Sequence, residues 1–209
     1  PLAGVAATGR ARLALDGTID IATLTGRFAV DGTFDDLGLG TPLGDAALGR
    51  RVKLAGSLAR GRDGRLLAED MLLTGAHLGA AATITVDPAT DGVDAAWRMR
   101  VPDIAPLADA VGVRATGRLV EQGRARIAPD AATAETAIDV ADAVIEGREI
   151  GAVALRVASR DLLQAPRADI DQFGPCLFAV FYRFSLLHIY NSWFFLLIIA
   201  FLFVSTTLF

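Results

Sequence analysis

Residues 93–101 read Val-Asp-Ala-Ala-Trp-Arg-Met-Arg-Val, and this stretch decides the fold of the first part of the chain. Apolar side chains occupy every second position, at Val93, Ala95, Trp97, Met99 and Val101. Successive side chains of a β-strand point to opposite faces. This period of two therefore predicts a strand with one apolar face and one solvated face.

The same alternation recurs through residues 1–171, in the segments 12–21, 52–58, 135–140 and 153–157. Four Asp-Gly pairs, at 16–17, 31–32, 63–64 and 91–92, are expected to form hairpin turns, because such pairs readily adopt positive φ. Strand signals at intervals of about a dozen residues indicate elongated sheets or sandwiches. We predict a mainly β fold, an elongated and curved antiparallel sheet or β-trough, over residues 1–171.

Two segments interrupt the strand pattern. Residues 102–112 predict a short helix in which Asp103 caps the start, Pro106 sits in the first turn and Gly112 ends the helix. The glycine-rich residues 38–44 lack the Lys-Ser/Thr of a phosphate-binding loop. We expect them to form a turn with no helix after it.

The apolar faces of the predicted strands must be covered by something. One possibility is the closed core of an ordinary sandwich, and the other is a curved sheet whose apolar face lines an open groove. Alternation alone does not separate the two. In the open form, the residues expected to face lipid are Leu13, Leu15, Val52, Leu54, Trp97, Met99, Val153 and Leu155.

The charged and nucleophilic residues predict no catalytic, cofactor or metal site. The net charge is −4, which argues against a nucleic-acid partner because such proteins carry a basic face. Cys176 is the single cysteine, and two histidines leave little for a multi-histidine metal site. His77 has no cysteine or histidine neighbour, and His188 is expected at the membrane interface rather than as a haem ligand. The acidic pairs Asp35-Asp36 and Asp169/Asp171 are expected to be solvated loop charges.

The composition changes abruptly near residue 172. Of the 15 aromatic residues, 12 lie in residues 173–209, where Arg183 is the single charged residue. Residues 193–209 carry no charge, and at about 1.5 Å per residue they span about 25 Å, which predicts a transmembrane helix. Tyr190 and Trp193 are expected at the membrane interface, and residues 172–192 are expected to form an interfacial loop or amphipathic helix.

The first part of the chain resembles the TamB family. The segment 97–107, Trp-Arg-Met-Arg-Val-Pro-Asp-Ile-Ala-Pro-Leu, leads into 112–119, Gly-Val-Arg-Ala-Thr-Gly-Arg-Leu. Both are similar to the recurring strand, short helix and strand of that family, as are residues 30–34 and 49–56. Over residues 5–170 the resemblance implies a periplasmic β-trough that carries phospholipid between the two membranes and assists outer-membrane assembly. It implies an outer-membrane assembly barrel as a partner.

The tail resembles a second family, ResB. The resemblance rests on residues 172–175 (Gln-Phe-Gly-Pro), 178–181, 189–198 and 205–208. It implies an inner-membrane protein that handles haem in cytochrome c biogenesis. Both resemblances imply that the N-terminal part lies in the periplasm.

The function that we predict is binding or conduction of phospholipid by a membrane-anchored β-rich protein that is not an enzyme. The alternatives are a ResB-like role in cytochrome c biogenesis and a non-catalytic envelope scaffold. Since the two resemblances point to different families, the sequence is one protein in two parts, an incomplete reading (a fragment), or a fused reading of two genes. Intact start and stop codons in the DNA would distinguish these cases.

Overall fold

The computed structural model describes residues 8–160 and 167–171, which form ten strands and two short helices. The strands are β1 (Thr8–Asp20), β2 (Thr25–Gly38), β3 (Arg51–Arg60), β4 (Leu66–Thr74), β5 (Gly79–Asp87), β6 (Gly92–Val101), β7 (Ala115–Ile127), β8 (Ala132–Ile145), β9 (Arg148–Arg160) and β10 (Arg167–Asp171). Helix α1 (Pro42–Leu48) lies between β2 and β3, and α2 (Ala105–Ala110) lies between β6 and β7.

All ten strands belong to one sheet, and their order in the sheet is their order in the sequence. Every neighbouring pair is antiparallel. The prediction of a mainly β, antiparallel fold is therefore confirmed. A sandwich needs a second sheet, and the described residues contain none.

The register of the strands gives the sheet one apolar face. Directly opposite residues in an antiparallel pair project from the same side of a sheet. One unbroken row of opposite residues crosses nine strands: Leu13, Gly32, Leu54, Leu73, Ala80, Met99, Glu121, Ile138 and Leu155. We call the side from which this row projects the apolar face, and the opposite side the polar face.

The adjacent row, one residue along each strand, belongs to the polar face. It consists of Arg12, Thr33, Lys53, Thr74, Gly79, Arg100, Val120, Asp139 and Ala154. Ion pairs bridge neighbouring strands on this face, such as Arg124 to Glu135 at 2.7 Å. These exposed pairs each contribute little to stability. The charged groups of these pairs make the polar face compatible with solvent.

Three strands contain a β-bulge at an aspartate with positive φ. These residues are Asp36 in β2 (φ 56°), Asp70 in β4 (φ 50°) and Asp142 in β8 (φ 56°). Each bulge faces a glycine of the preceding strand, at Gly9, Gly56 and Gly117. A Cβ at any of these glycines would lie only 3.1–3.3 Å from the carbonyl oxygen of the facing aspartate. A glycine opposite an aspartate bulge is therefore a recurring device of this sheet.

The helix predicted in residues 102–112 is confirmed as α2. The prediction that Asp103 caps the helix is wrong, because the N-cap position is Ile104, which makes no side-chain cap hydrogen bond. Asp103 lies one residue earlier, and its carboxylate accepts a hydrogen bond from the backbone N–H of Ala105 at 2.9 Å. Pro106 sits in the first turn, and Gly112, with φ 75°, follows the end of the helix. Proline at the start and glycine after the end set these limits.

The prediction that residues 38–44 form a turn with no helix after it is wrong, because α1 begins at Pro42. The hydroxyl of Thr41 accepts a hydrogen bond from the N–H of Gly44 at 3.3 Å and caps the helix. Gly49, with φ 66°, ends it. Thr-Pro before a short apolar segment and glycine after it were the signals for this helix.

Two of the four Asp-Gly pairs lie in turns, as predicted. Residues 63–64 connect β3 to β4, and residues 91–92 end the turn between β5 and β6. The pairs at 16–17 and 31–32 lie inside β1 and β2, so the prediction of turns there is wrong.

Packing on the apolar face explains one of these internal glycines. Gly32 lies directly between Leu13 of β1 and Leu54 of β3. A Cβ on Gly32 would stand 3.2 Å from Leu13 Cδ1 and 3.3 Å from Leu54 Cβ. Glycine here leaves room for the larger side chains on both sides.

Several predictions concern residues that the structure does not describe. The transmembrane helix at 193–209, the interfacial segment at 172–192, and Tyr190 and Trp193 all lie outside the described residues. Within the described part, neither helix has the length and hydropathy needed to cross a bilayer.

Leu54 and Leu72 give a matched test of this fold. Leu54 lies on the apolar face and is 7% exposed, whereas Leu72 lies on the polar face and is 50% exposed. We expect Leu54→Ala to lower the free energy of unfolding by about 2–4 kcal/mol, because it leaves a cavity. Leu72→Ala should lower it by about 1 kcal/mol or less. Urea unfolding of the full chain in detergent, followed by circular dichroism, measures both. Equal losses would contradict the assignment of the faces.

Candidate functional site

The apolar face is the candidate site, because its central row of residues crosses nine of the ten described strands. All eight residues predicted to face lipid project from it: Leu13, Leu15, Val52, Leu54, Trp97, Met99, Val153 and Leu155. The register places residues that are up to 142 positions apart in sequence on one face of the sheet. Their contact with lipid stays a prediction.

These eight side chains differ in how far they are open to solvent. Leu13 and Leu15 on the edge strand are each 48% exposed. Val52 is 1% and Leu155 is 3% exposed. Trp97, Met99 and Val153 are half-buried. Among these eight residues, the accessible ones therefore lie in β1, in β6 and at Val153 of β9, and the side chains of Val52, Leu54 and Leu155 are covered.

Helices α1 and α2 lie beside each other at the end of the sheet where β3 begins and β6 ends. Leu43 and Leu48 of α1 and Leu107 of α2 are buried. The apolar-face residues at this end, Val52 and Val101, are the two largest side chains that are fully buried. This end of the apolar face is therefore closed to solvent.

A buried carboxylate interrupts the apolar face. Glu121 lies in β7 on this face and is 2% exposed. Its Oε1 accepts hydrogen bonds from Trp97 Nε1 at 3.1 Å and from the Thr136 hydroxyl at 3.2 Å. A buried carboxylate is stable only when donors satisfy it, and these donors come from the strands on either side.

Gly123 allows Trp97 to reach this carboxylate. Trp97 in β6 lies directly opposite Gly123 in β7. A Cβ on Gly123 would lie 2.4 Å from Cζ2 of the indole, so the ring packs over the glycine. Any larger residue at 123 would displace the ring. The sequence signal for this cluster is a glutamate at an apolar position of a strand, between Leu119 and Gly123.

The polar face carries a shallow depression of about 500 Å³ over β5–β8. Its charged lining residues are paired across strands, Arg124 with Glu135 at 2.7 Å and Arg126 with Asp94 at 3.5 Å. The described residues hold no cluster of histidine, cysteine and carboxylate side chains that could bind a metal ion.

The acidic residues predicted to be loop charges are located in strands. Asp35 binds Arg51 at 2.8 Å, and Asp36 binds Arg10 at 2.9 Å and Arg50 at 2.8 Å, so both belong to ion pairs near the end of β2. The hydrogen bond from Arg10, together with the nearby Arg50, lowers the pKa of Asp36. The loop assignment is wrong, because β2 continues to Gly38. Asp169 and Asp171 lie in β10.

Comparison with known proteins gives one match. The model of the ResB-like family matches residues 160–208. No curated protein and no solved structure matches the chain. The match agrees with the resemblance of the tail to ResB, and it begins in the last residue of β9. No comparison supports the resemblance of residues 5–170 to TamB.

Trp97 and Met99 give a test of the buried cluster. We expect Trp97→Phe to lower the free energy of unfolding by about 1–3 kcal/mol, because it removes a donor from a buried carboxylate and leaves the rest of the face intact. Met99→Leu, on the same strand and face and directly opposite Glu121, should cost less than about 1.5 kcal/mol. Denaturant unfolding of the full chain checks both. A smaller loss for Trp97→Phe than for Met99→Leu would contradict the role of the hydrogen bond.

Proposed function

We propose that this chain binds phospholipid along the apolar face of its sheet and passes it between membranes. The observation that carries the proposal is the row that crosses nine strands of the apolar face, in which Glu121 is the one charged residue, and no second sheet among the described residues covers it. Helices α1 and α2 lie at one end of this face only. Acyl chains are the apolar ligands that an extended face of this length would suit. The same face could bind acyl chains at many positions along its length.

The driving force is the removal of apolar surface from water. Each Å² of apolar area that an acyl chain covers contributes roughly 25 cal/mol. Leu13, Leu15 and Ile19 expose about half of their surface on β1. Contiguous exposed apolar residues of this kind mark interaction sites in proteins that work in water.

Several side chains of the apolar face are buried although no second sheet among the described residues covers them. This burial favours a curved, trough-like face. Ile84, Ile138 and Leu155 are 3–7% exposed, although each projects from a single-layer sheet. In a flat sheet, neighbours in the same plane leave the top of such side chains open. A face that curves toward itself covers them, and a trough of this form would hold a lipid chain along its length.

The proposed setting is the inner membrane with the sheet in the periplasm. The ResB-like match over residues 160–208 supports association with a membrane. The resemblance to TamB favours a role beside an outer-membrane assembly barrel, with no catalysis. The charged side chains of the polar face, many of them in ion pairs, suit it to face the aqueous periplasm.

Photo-crosslinking along β6 tests lipid binding. Residues 97–100 alternate between the two faces, and Arg98 and Arg100 are more exposed than Trp97 and Met99. A benzophenone amino acid at Met99 in cells should capture phospholipid, and the same probe at Arg98 or Arg100 should capture several-fold less. Stronger capture at the more exposed Arg98 and Arg100 than at Met99 would reject lipid binding and favour the scaffold. The absence of capture at all three positions would do the same.

A second candidate function is haem handling in cytochrome c biogenesis, and the match of residues 160–208 to the ResB-like family favours it. Haem iron needs an axial ligand such as histidine, and His188 lies in the matched range. Under the lipid proposal, the purified full chain shows no Soret band after incubation with haem. A Soret band that His188→Ala abolishes would favour this second function.

A further inference from the structure

The first strand of the sheet, β1, has a neighbouring strand on one side only in the described part of the chain. All 13 of its residues are exposed, in contrast to the half-buried strands inside the sheet. An edge strand presents a row of backbone N–H and C=O groups that can pair with another strand.

Apart from charged side chains and one register shift at its start, this edge lacks the features by which proteins usually prevent such pairing. Residues 8–20 contain no proline and no lysine, and β1 is long. Its register with β2 is continuous from Arg10 to Asp20, and the one shift lies at its start, between Thr8 and Arg10. Short length, lysine, proline and bulges are the common protections of an edge strand. The exposed edge of β1 is therefore suited to pair with another strand.

We propose that this edge pairs with the same edge of a second copy of the chain, antiparallel and centred on Ala14. A two-fold axis at Ala14 places Thr8 opposite Asp20 of the second copy, so that the whole strand is paired. Leu13 then faces Leu15 of the second copy on the apolar face, and this contact occurs twice. Cross-strand pairs of this kind stabilise sheets.

Charge complementarity supports a second copy as the occupant. The same register places Arg12 opposite Asp16 of the second copy, again twice, on the polar face. Neither side chain forms a hydrogen bond or an ion pair within the described part of the chain. The edge thus carries one unpaired cation and one unpaired anion, placed symmetrically about its centre.

Neighbouring registers suit the edge less well. Centring on Leu13 places Arg10 opposite Asp16, and centring on Leu15 places Arg10 opposite Asp20. Arg10 is already bound to Asp36 at 2.9 Å. Both alternatives also leave Arg12 without an opposite charge and leave strand ends unpaired. The Ala14-centred register alone combines full overlap with use of the free charges.

This pairing would join the two sheets edge to edge, so that their apolar faces form one continuous surface. Opposite residues in the proposed register share the same face, so the row that contains Leu13 continues into the second copy. The proposal does not depend on lipid binding, because it rests on the backbone edge and on the side chains of β1.

Disulfide scanning in the full chain tests the register. With Cys176→Ser as the background, single cysteines replace Leu13, Ala14, Leu15 or Thr18. On the proposed axis the two Ala14 Cα atoms lie about 4.5–5.5 Å apart, within the range of a disulfide. The two Thr18 residues lie about 26 Å apart, so Thr18→Cys is the control.

We expect Ala14→Cys to give a disulfide-linked dimer as the main product of mild oxidation in membranes, and Thr18→Cys to give almost none. Main cross-linking at Leu13→Cys or Leu15→Cys would overturn the register. Equal cross-linking at all four positions would indicate random collision and overturn the pairing. A full-length chain that is monomeric by light scattering in mild detergent and gives no Ala14→Cys dimer in membranes would also overturn it.

Charge reversal provides an independent test. Arg12→Asp places like charges opposite each other at two sites, and we expect it to lower the yield of the Ala14→Cys dimer about fivefold. The double variant Arg12→Asp/Asp16→Arg restores opposite charges and should restore the yield. Circular dichroism confirms that each variant keeps its sheet. Failure of the double variant to recover would overturn the Arg12 to Asp16 contact.

Discussion

The register of the antiparallel strands is the constraint on which the rest of this structure depends. In each pair, directly opposite residues share a face, and the row from Leu13 to Leu155 shows that nine strands keep this relation. A slip of one residue in any pair would turn the apolar side chains beyond it to the polar face. The apolar face, the cluster around Glu121 and the charges of the polar face all follow from this register.

The bulges adjust the register where the sequence departs from strict alternation. In β4, Ala68 and Met71 are both buried on the apolar face, although their positions differ in parity. The extra residue at Asp70 moves Met71 onto that face. Gly56 faces this bulge and leaves room for the Met71 side chain, because a Cβ there would meet the Met71 sulfur at 2.4 Å. The glycine and the aspartate therefore act together.

The sequence predicted the strand class and the shared face well, because alternation is a local property. It failed where a residue's role depends on a neighbouring strand. Gly32 lies within a strand because Leu13 and Leu54 flank it, and a local Asp-Gly pair does not reveal these neighbours. Glu121 is buried because Trp97 and Thr136 donate to it from adjacent strands. Helix α1 was not predicted, because the glycines on both sides of Thr41-Pro42 are typical of a turn.

The order of the strands has a consequence for how the chain folds. Each strand pairs with the one just before it in sequence, and from β1 to β9 the strands are connected by short loops or by one short helix. The entropy cost of closing each connection is therefore small, and low contact order favours fast folding. The sheet can grow by one strand at a time from β1 as the chain is synthesised, so each newly emerged strand finds an edge already formed.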